Sequence, residues 1–151
     1  MKQLKWLCLG MVLCICLTAC GKQPVSAETL LLELMAEYES LPDGVIYRSG
    51  AEEGEDGYPS PELMESLYGA NAAEVLELVE DYAIYLSSFA MPIELAVFLC
   101  YSATDAHQVE AMCLNRREAL RVALRGTELE ELSDSLQVQC KGRLIVMRME
   151  Q

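Results

Sequence analysis

The chain has 151 residues, of which 52% are hydrophobic, and its 24 acidic and 11 basic side chains give a net charge of −13 at pH 7. This apolar fraction predicts a folded chain instead of a disordered stalk, and the length allows one domain with its own core. Nucleic-acid binding depends on clustered Lys and Arg that neutralise phosphates, so the acidic excess argues against a nucleic-acid partner.

The first residues have the organisation of a bacterial export signal. Lys2 and Lys5 form a positive amino-terminal region, and an uncharged, mostly apolar run extends from Trp6 to Leu17. A helix over this run would span only about 18 Å, which is short of a bilayer core of about 30 Å. The pattern therefore favours a signal peptide over a permanent transmembrane helix.

Leu17, Thr18, Ala19 and Cys20 resemble the bacterial lipobox, in which a small residue precedes an obligatory cysteine. This resemblance implies that diacylglycerol is joined to the Cys20 thiol through a thioether, and that cleavage before Cys20 then removes residues 1–19. Two acyl chains hold a protein stably on a bilayer, whereas one holds it only marginally. The alternative is an ordinary secretory peptide that is cut elsewhere, with Cys20 incidental.

The chain after the signal is predicted to be a short tether followed by one domain. Residues 20–26 comprise the lipidated cysteine and a polar tether, and residues 27–151 form the domain. Ser26 is expected to cap a helix that continues to about Leu41. The segment from residue 49 to residue 60 is rich in Gly, Glu and Asp and is predicted to be a solvated acidic loop, because it matches the calcium-binding pattern poorly.

The remainder of the chain alternates short helices with strands. A short helix is predicted over SPELMESLYG and a further helical turn from Asn71, and two strands follow, the second of which, ELAVFLCYS, is apolar on both faces and therefore central. Thr104 is predicted to cap the longest helix, which ends near Arg125. The chain closes with a hairpin that turns at Lys141-Gly142 and directs alternate apolar residues, Leu136 among them, toward the helices. The order predicts an α+β fold, a two-layer sandwich in which an antiparallel sheet of two hairpins is backed by the N-terminal helix and the long central helix.

Three cysteines and one histidine remain in the predicted domain. Cys100, Cys113 and Cys140 are expected to be buried unpaired thiols, with a Cys100–Cys140 disulfide as the alternative. His107 is the only histidine, so the chain lacks a four-ligand zinc set, and we predict no metal ligands and no cofactor. A Cys100–His107 dyad is the sharpest enzymatic hypothesis, and a surface histidine beside the helix start is the other interpretation. We predict no catalytic residues.

Arg117, Arg121 and Arg125 recur every four residues along the long helix. They form a candidate docking stripe for an acidic partner, a wall polymer or a lipid headgroup. The alternative is that they complement the helix dipole and pair with nearby glutamates such as Glu118.

The stretches MESLYG, DYAIYLSSFAMPIELAVFLCYS and VEAMCLNRREAL together are similar to the domain-of-unknown-function 4358 family. The similarity covers most of residues 28–149 and is better in the middle than at the ends. Between the long helix and the last hairpin the chain is shorter than is usual for that family. The resemblance implies a small lipoprotein of a Gram-positive bacterium with one α+β domain, and it brings no catalytic residues.

These features predict a non-catalytic binding or interaction module on the extracytoplasmic face of the cell membrane. It would be held in the membrane by the diacylglyceryl group on Cys20 and would have an envelope protein or a wall component as its partner. Two alternatives stay open. One is a small envelope enzyme or enzyme accessory that uses a thiol or carboxylates, and the other is a structural component of a membrane-surface complex.

Overall fold

The structure, a computed structural model, describes residues 25–88 and 93–149. The predicted signal peptide of residues 1–19 and the lipobox residues Leu17, Thr18, Ala19 and Cys20 lie outside these ranges. The lipid anchor therefore stays a prediction from the sequence.

The described residues form five helices and one sheet of five strands. The strands are all antiparallel and lie in the order β1-β2-β3-β5-β4. This confirms the predicted α+β class, and β3, the strand that is apolar on both faces, occupies the centre of the sheet. In chain order the elements are α1 (Ala27–Met35), β1 (Gly44–Arg48), α2 (Pro61–Tyr68), α3 (Ala72–Leu76), β2 (Val79–Ser87), β3 (Glu94–Cys100), α4 (Ala103–Leu124), α5 (Glu130–Asp134), β4 (Leu136–Lys141) and β5 (Leu144–Met149).

Helices cover both faces of the sheet. On one face α1 packs through Ala27, Leu31 and Leu34 against side chains of β2 and β3. On the other face α4, with α2 and α3, encloses a larger core around Phe98. The layers are therefore three and not the predicted two: the two helices predicted to back the sheet do so from opposite sides, because a strand that is apolar on both faces must be covered on both.

Serine side chains begin the three longer helices. Ser26 Oγ accepts the main-chain N–H of Thr29 at 3.1 Å, as predicted, and Ser60 caps α2 in the same way. The α4 helix is capped by Ser102, whose Oγ accepts from the N–H of Asp105 at 3.1 Å, and not by Thr104.

The first helix is shorter than its apolar spacing predicted. It ends at Met35 instead of Leu41, and the chain then turns. The turn lets Tyr38 donate its hydroxyl to the main-chain carbonyl of Met149 at 2.6 Å, while Leu41 still packs against the same core. A tertiary contact therefore replaces the last helical turn.

The final hairpin turns one residue later than predicted. Lys141 pairs with Leu144, so the turn residues are Gly142 and Arg143, and only Gly142 has a positive φ, +62°. Glycine at the first central position is typical of a type II′ turn. The pairing differs from the predicted one by two residues, and side chains alternate with a period of two. The faces are therefore unchanged, and Leu136 packs with the α4 side of the core as predicted.

The loop after β1 folds back onto that strand at Gly57. The N–H of Arg48 donates to the carbonyl of Gly57 at 3.1 Å, and a Cβ on Gly57, whose φ is +79°, would overlap the carbonyl oxygen of Ile46. We expect Gly57→Ala to lower the free energy of unfolding by about 2–4 kcal/mol, because backbone strain and the overlap add.

Gly54→Ala is the matched control for this prediction. Gly54 also has a positive φ, +94°, but nothing lies within 4 Å of its ideal Cβ, so only the backbone cost of about 1–2 kcal/mol applies. Urea unfolding followed by circular dichroism measures both variants. Equal losses of unfolding free energy in the two variants would mean that the overlap with the Ile46 carbonyl does not contribute to the effect of Gly57→Ala.

Candidate functional site

Glu94 is a carboxylate in the core of the domain. Its exposed fraction is 2%, and it is the one charged side chain that is buried among the described residues. Its Oε2 accepts from Arg116 Nε at 2.8 Å, and its Oε1 accepts from the Tyr68 hydroxyl at 2.9 Å. Both oxygens are therefore hydrogen-bonded, as a buried carboxylate requires.

Three elements bring these side chains together. Glu94 begins β3 and stands in a cross-strand row with Leu86 and Val45, which are apolar. Arg116 lies on the buried side of α4, three residues after Cys113 and four before Leu120. A charged residue in an apolar row is thus matched by an opposite charge in an apolar helical stripe.

Tyr68 completes the group from the end of α2. Its ring packs edge-on against Phe98, with ring centroids 5.8 Å apart and an interplanar angle of 84°. Burial, together with the neighbouring Glu94 carboxylate, raises the pKa of Tyr68 well above its ordinary value of 10.0. The phenol therefore stays protonated and acts as the donor in its bond to Glu94.

A pocket of about 640 Å³ opens beside this group, within the usual size range of small-ligand sites. It lies between the β1 edge of the sheet and α2. The Glu94–Arg116 pair borders it on one side, and Asp43 and three serines lie among the rest of the lining. Its apolar walls are Val45, Leu63, Leu67, Leu86 and Ile93.

Arg116 gives this pocket a hydrogen-bond donor. Only its Nε is used by Glu94, and within the described residues its two terminal nitrogens make no hydrogen bond. Glu94 neutralises the guanidinium and fixes its plane, so its outer edge is oriented for an acceptor on a ligand. The arrangement is suited to binding an apolar group together with a polar acceptor.

The pocket and the start of α1 lie at opposite ends of β2. The N–H of Ala27 donates to Asp81 Oδ2 at 2.7 Å, and Asp81 Oδ1 accepts from Ser49 at 2.7 Å, which fixes the first residue of α1 near the beginning of β2. The pocket is lined by Leu86 and Ser88 at the other end. At about 3.3 Å per residue, the two ends are about 17 Å apart.

The predicted thiols are free in the structure. Cys100 and Cys113 are buried as predicted, whereas Cys140 is only half-buried, and the alternative Cys100–Cys140 disulfide is not formed. Burial raises the pKa of Cys100 to about 11, whereas His107 lies in solvent with its side chain 76% exposed and 3.7 Å from Glu110. The two members of the hypothetical dyad therefore occupy different environments, one in the core and one on the surface.

The arginine stripe is largely paired with acidic side chains. Arg121 contacts Glu118 at 3.2 Å and Asp134 at 2.8 Å, and Arg117 lies 3.6 Å from Glu118. Arg125 is exposed at the end of α4. Pairing with Glu118 agrees with the alternative given for these residues, and their role as a docking stripe stays a prediction.

The described ranges hold neither a cluster of metal-ligating side chains nor a helix that could cross a membrane. Across residues 25–88 and 93–149, no group of three or more His, Cys, Asp or Glu side chains is placed to hold a metal ion. None of the helices in this part of the chain combines the length and the apolar character needed to cross a bilayer.

Comparison with known protein families, with curated proteins and with solved structures finds no match to the chain. The resemblance to the domain-of-unknown-function 4358 family therefore stays a prediction from the quoted stretches. The candidate site depends on the structure alone.

Proposed function

We propose that the protein is a lipid-anchored binding module on the extracytoplasmic face of the membrane, and that the pocket beside β1 is its binding site. The observation that carries the binding role is the pocket of about 640 Å³, which has apolar walls and is bordered by the Glu94–Arg116 pair. The anchor follows from the lipobox that ends at Cys20. The family resemblance, with its implied lipoprotein, agrees with this function.

The chemistry of the pocket favours binding over reaction. The Glu94 carboxylate is held by two donors, and the Arg116 Nε is held by Glu94, so these groups are engaged in structure. The side chains of Glu94 and Arg116 are only 2% and 16% exposed, so removing their charges from water has a desolvation cost. Their direct contact holds the two groups in one geometry. A fixed donor in an apolar pocket orients a ligand, whereas apolar walls supply affinity.

The pocket and the tether attach at opposite ends of β2, which agrees with a site that the membrane does not cover. The short tether would hold the start of α1 near the bilayer, and the pocket lies at the other end of the strand, about 17 Å away. A ligand in the wall or the medium could then reach the pocket without competing with the membrane.

The anchor is tested with Cys20→Ala in cells that are fed an alkyne fatty acid. We expect the wild-type chain to carry the label and to sediment with membranes, and the variant to be unlabelled and released. Two acyl chains hold stably, so the change in distribution should be nearly complete. A Cys20→Ala chain that remains membrane-bound, or a wild-type chain without lipid, would overturn the anchor.

The pocket is tested with Ser66→Trp, because Ser66 is an exposed α2 residue that lines it. Fragments at ten times their dissociation constant should stabilise the full chain, in nonionic detergent, by about 1.4 kcal/mol. Ser66→Trp fills the pocket and should abolish this stabilisation. Glu65→Trp, at an exposed neighbouring position that does not line the pocket, should leave it unchanged. If no fragment stabilises the wild type, or if both variants respond as the wild type does, the pocket is not a binding site.

A further inference from the structure

The main chain of β1 has an open edge beside the pocket. In a strand, successive residues direct their N–H and C=O groups to opposite sides. The N–H of Ser49 donates to Tyr82 of β2 at 3.1 Å, and the N–H of Arg48 donates away from the sheet to Gly57. The even-numbered residues Gly44 and Ile46 therefore direct their main-chain groups outward.

The loop after β1 covers only part of that edge. The carbonyl of Gly57 accepts the hydrogen bond from the N–H of Arg48, and Gly57 lies against the carbonyl of Ile46. In the β1–β2 register the bonded positions of β1 are odd-numbered, and no turn or loop hydrogen bond of the described residues reaches the N–H or C=O of Gly44 or the N–H of Ile46. Native proteins cover or charge their sheet edges, so an edge left open only where a pocket adjoins it points to a partner strand.

We propose that the ligand of this pocket is an extended peptide that adds to the sheet outside β1 and places one apolar side chain in the pocket; this rests on the proposed function. The peptide donates a main-chain N–H to the Gly44 carbonyl and accepts from the Ile46 N–H. An anchor residue opposite Val45 shares the face of Val45 and Leu86, which line the pocket. The α2 helix forms the facing wall through Leu63 and Leu67.

Charge on the rim defines the class of peptide. The loop beside the open edge carries exposed Glu52, Glu53, Glu55 and Asp56, and Asp43 borders the pocket at the other end of β1. The one guanidinium in the pocket is already neutralised by Glu94. An acidic peptide would be repelled, so the peptide has basic residues on both sides of its apolar anchor.

The test uses an end-blocked, fluorescein-labelled peptide Lys-Thr-Leu-Thr-Lys with the full chain in nonionic detergent, and fluorescence anisotropy measures its affinity. Replacing both lysines with glutamate, or leucine with serine, should each weaken binding at least tenfold. The preference for lysine should shrink in high salt. Empty micelles serve as the blank.

Main-chain recognition is tested on the peptide itself. Single N-methylation should weaken binding about tenfold at the positions whose N–H faces β1, and should have little effect at the intervening positions. This period of two is the signature of an added strand. Hydrogen exchange at the amides of Gly44 and Ile46 should slow when the peptide is bound.

Charge recognition is tested on the protein with Glu53→Gln/Asp56→Asn, which should reduce the preference for lysine over glutamate. Glu128→Gln/Glu131→Gln makes the same change in net charge at exposed positions around the start of α5, which leads into β4 at the other edge of the sheet, and should not. Equal effects of the two double variants would overturn the charge argument.

The outcomes separate this inference from the proposed function. If fragments bind the pocket but the peptide does not, or if the peptide binds without the alternation and without protection of the edge amides, strand addition is wrong and pocket binding stands. If neither fragments nor peptide bind, both proposals fail.

Discussion

Arg116→Met should lower the free energy of unfolding by about 3–5 kcal/mol, because it leaves the Glu94 carboxylate buried without an opposite charge. Glu94 is 2% exposed, so its carboxylate has little contact with water to offset the lost guanidinium. The Tyr68 hydroxyl would be its one remaining protein donor within the described residues. Methionine keeps most of the aliphatic volume of the arginine stem, which limits the loss to the charge and its hydrogen bond.

Urea unfolding of the full chain in nonionic detergent, followed by circular dichroism, measures this loss. Arg117→Met is the control on the same helix. Its side chain is 32% exposed and lies 3.6 Å from Glu118, so its removal should cost less than about 1 kcal/mol. An Arg116→Met loss no larger than that of Arg117→Met would mean that Glu94 is reached by water.

The double variant Glu94→Leu/Arg116→Met separates the charge from the packing. Replacing both partners of a buried pair with apolar residues is often nearly neutral, whereas removing one is costly. We expect the double variant to lie within about 2 kcal/mol of the wild type, with the lost acceptor of Tyr68 as the main remaining cost. A double variant as unstable as Arg116→Met would show that shape, and not charge, governs the site.

The parts of the fold that were predicted from the sequence are those with a local cause. Ser26 and Ser60 cap helices because a serine hydroxyl satisfies a free N–H of the first turn wherever it precedes a helix. The strand ELAVFLCYS was placed at the centre because residues that are apolar on both faces need cover on both. The error at the last turn did not change which side chains face the core, because the pairing of β4 with β5 shifted by two residues.

The parts that could not be predicted depend on contacts between distant segments. The predicted sheet of two hairpins did not include residues 44–48, which become an edge strand because β2 is available to pair with them. The end of α1 moved because Tyr38 reaches Met149, which is 111 residues later. Rules that relate residues close together in sequence, such as capping and periodicity, contain no information on partners that are distant in sequence.

The candidate site had a signal in the sequence that was not used. Glu94 opens an otherwise apolar strand, and Arg116 occupies a position in the buried stripe of α4, between Cys113 and Leu120. Each is an exception to its own pattern, and the charges are opposite. Two such exceptions in elements that pack together predict a buried ion pair, but the packing of α4 on β3 had to be known first.

Phe98→Ala should be the most destabilising substitution of an uncharged residue in the site's surroundings, with an expected loss of about 3–5 kcal/mol. Phe98 is completely buried at the centre of the sheet. Its ring contacts Tyr68 edge-on at 5.8 Å and lies 6.0 Å from the ring of Tyr82. Alanine removes both aromatic contacts and leaves a cavity under α4 that neighbouring strands cannot close.

The same substitution should also disturb the candidate site, because Tyr68 contacts both Phe98 and Glu94. Without Phe98 the Tyr68 ring loses the surface that orients its hydroxyl toward Glu94, so the cavity cost and the loss of that hydrogen bond are coupled. A double-mutant cycle of Phe98→Ala with Tyr68→Phe should therefore give an interaction energy of about 0.5–3 kcal/mol, instead of additive losses. Tyr101→Ala, at a residue that is 63% exposed, should change stability by less than about 0.5 kcal/mol. Strict additivity in the cycle would mean that the hydrogen bond from Tyr68 to Glu94 does not depend on Phe98.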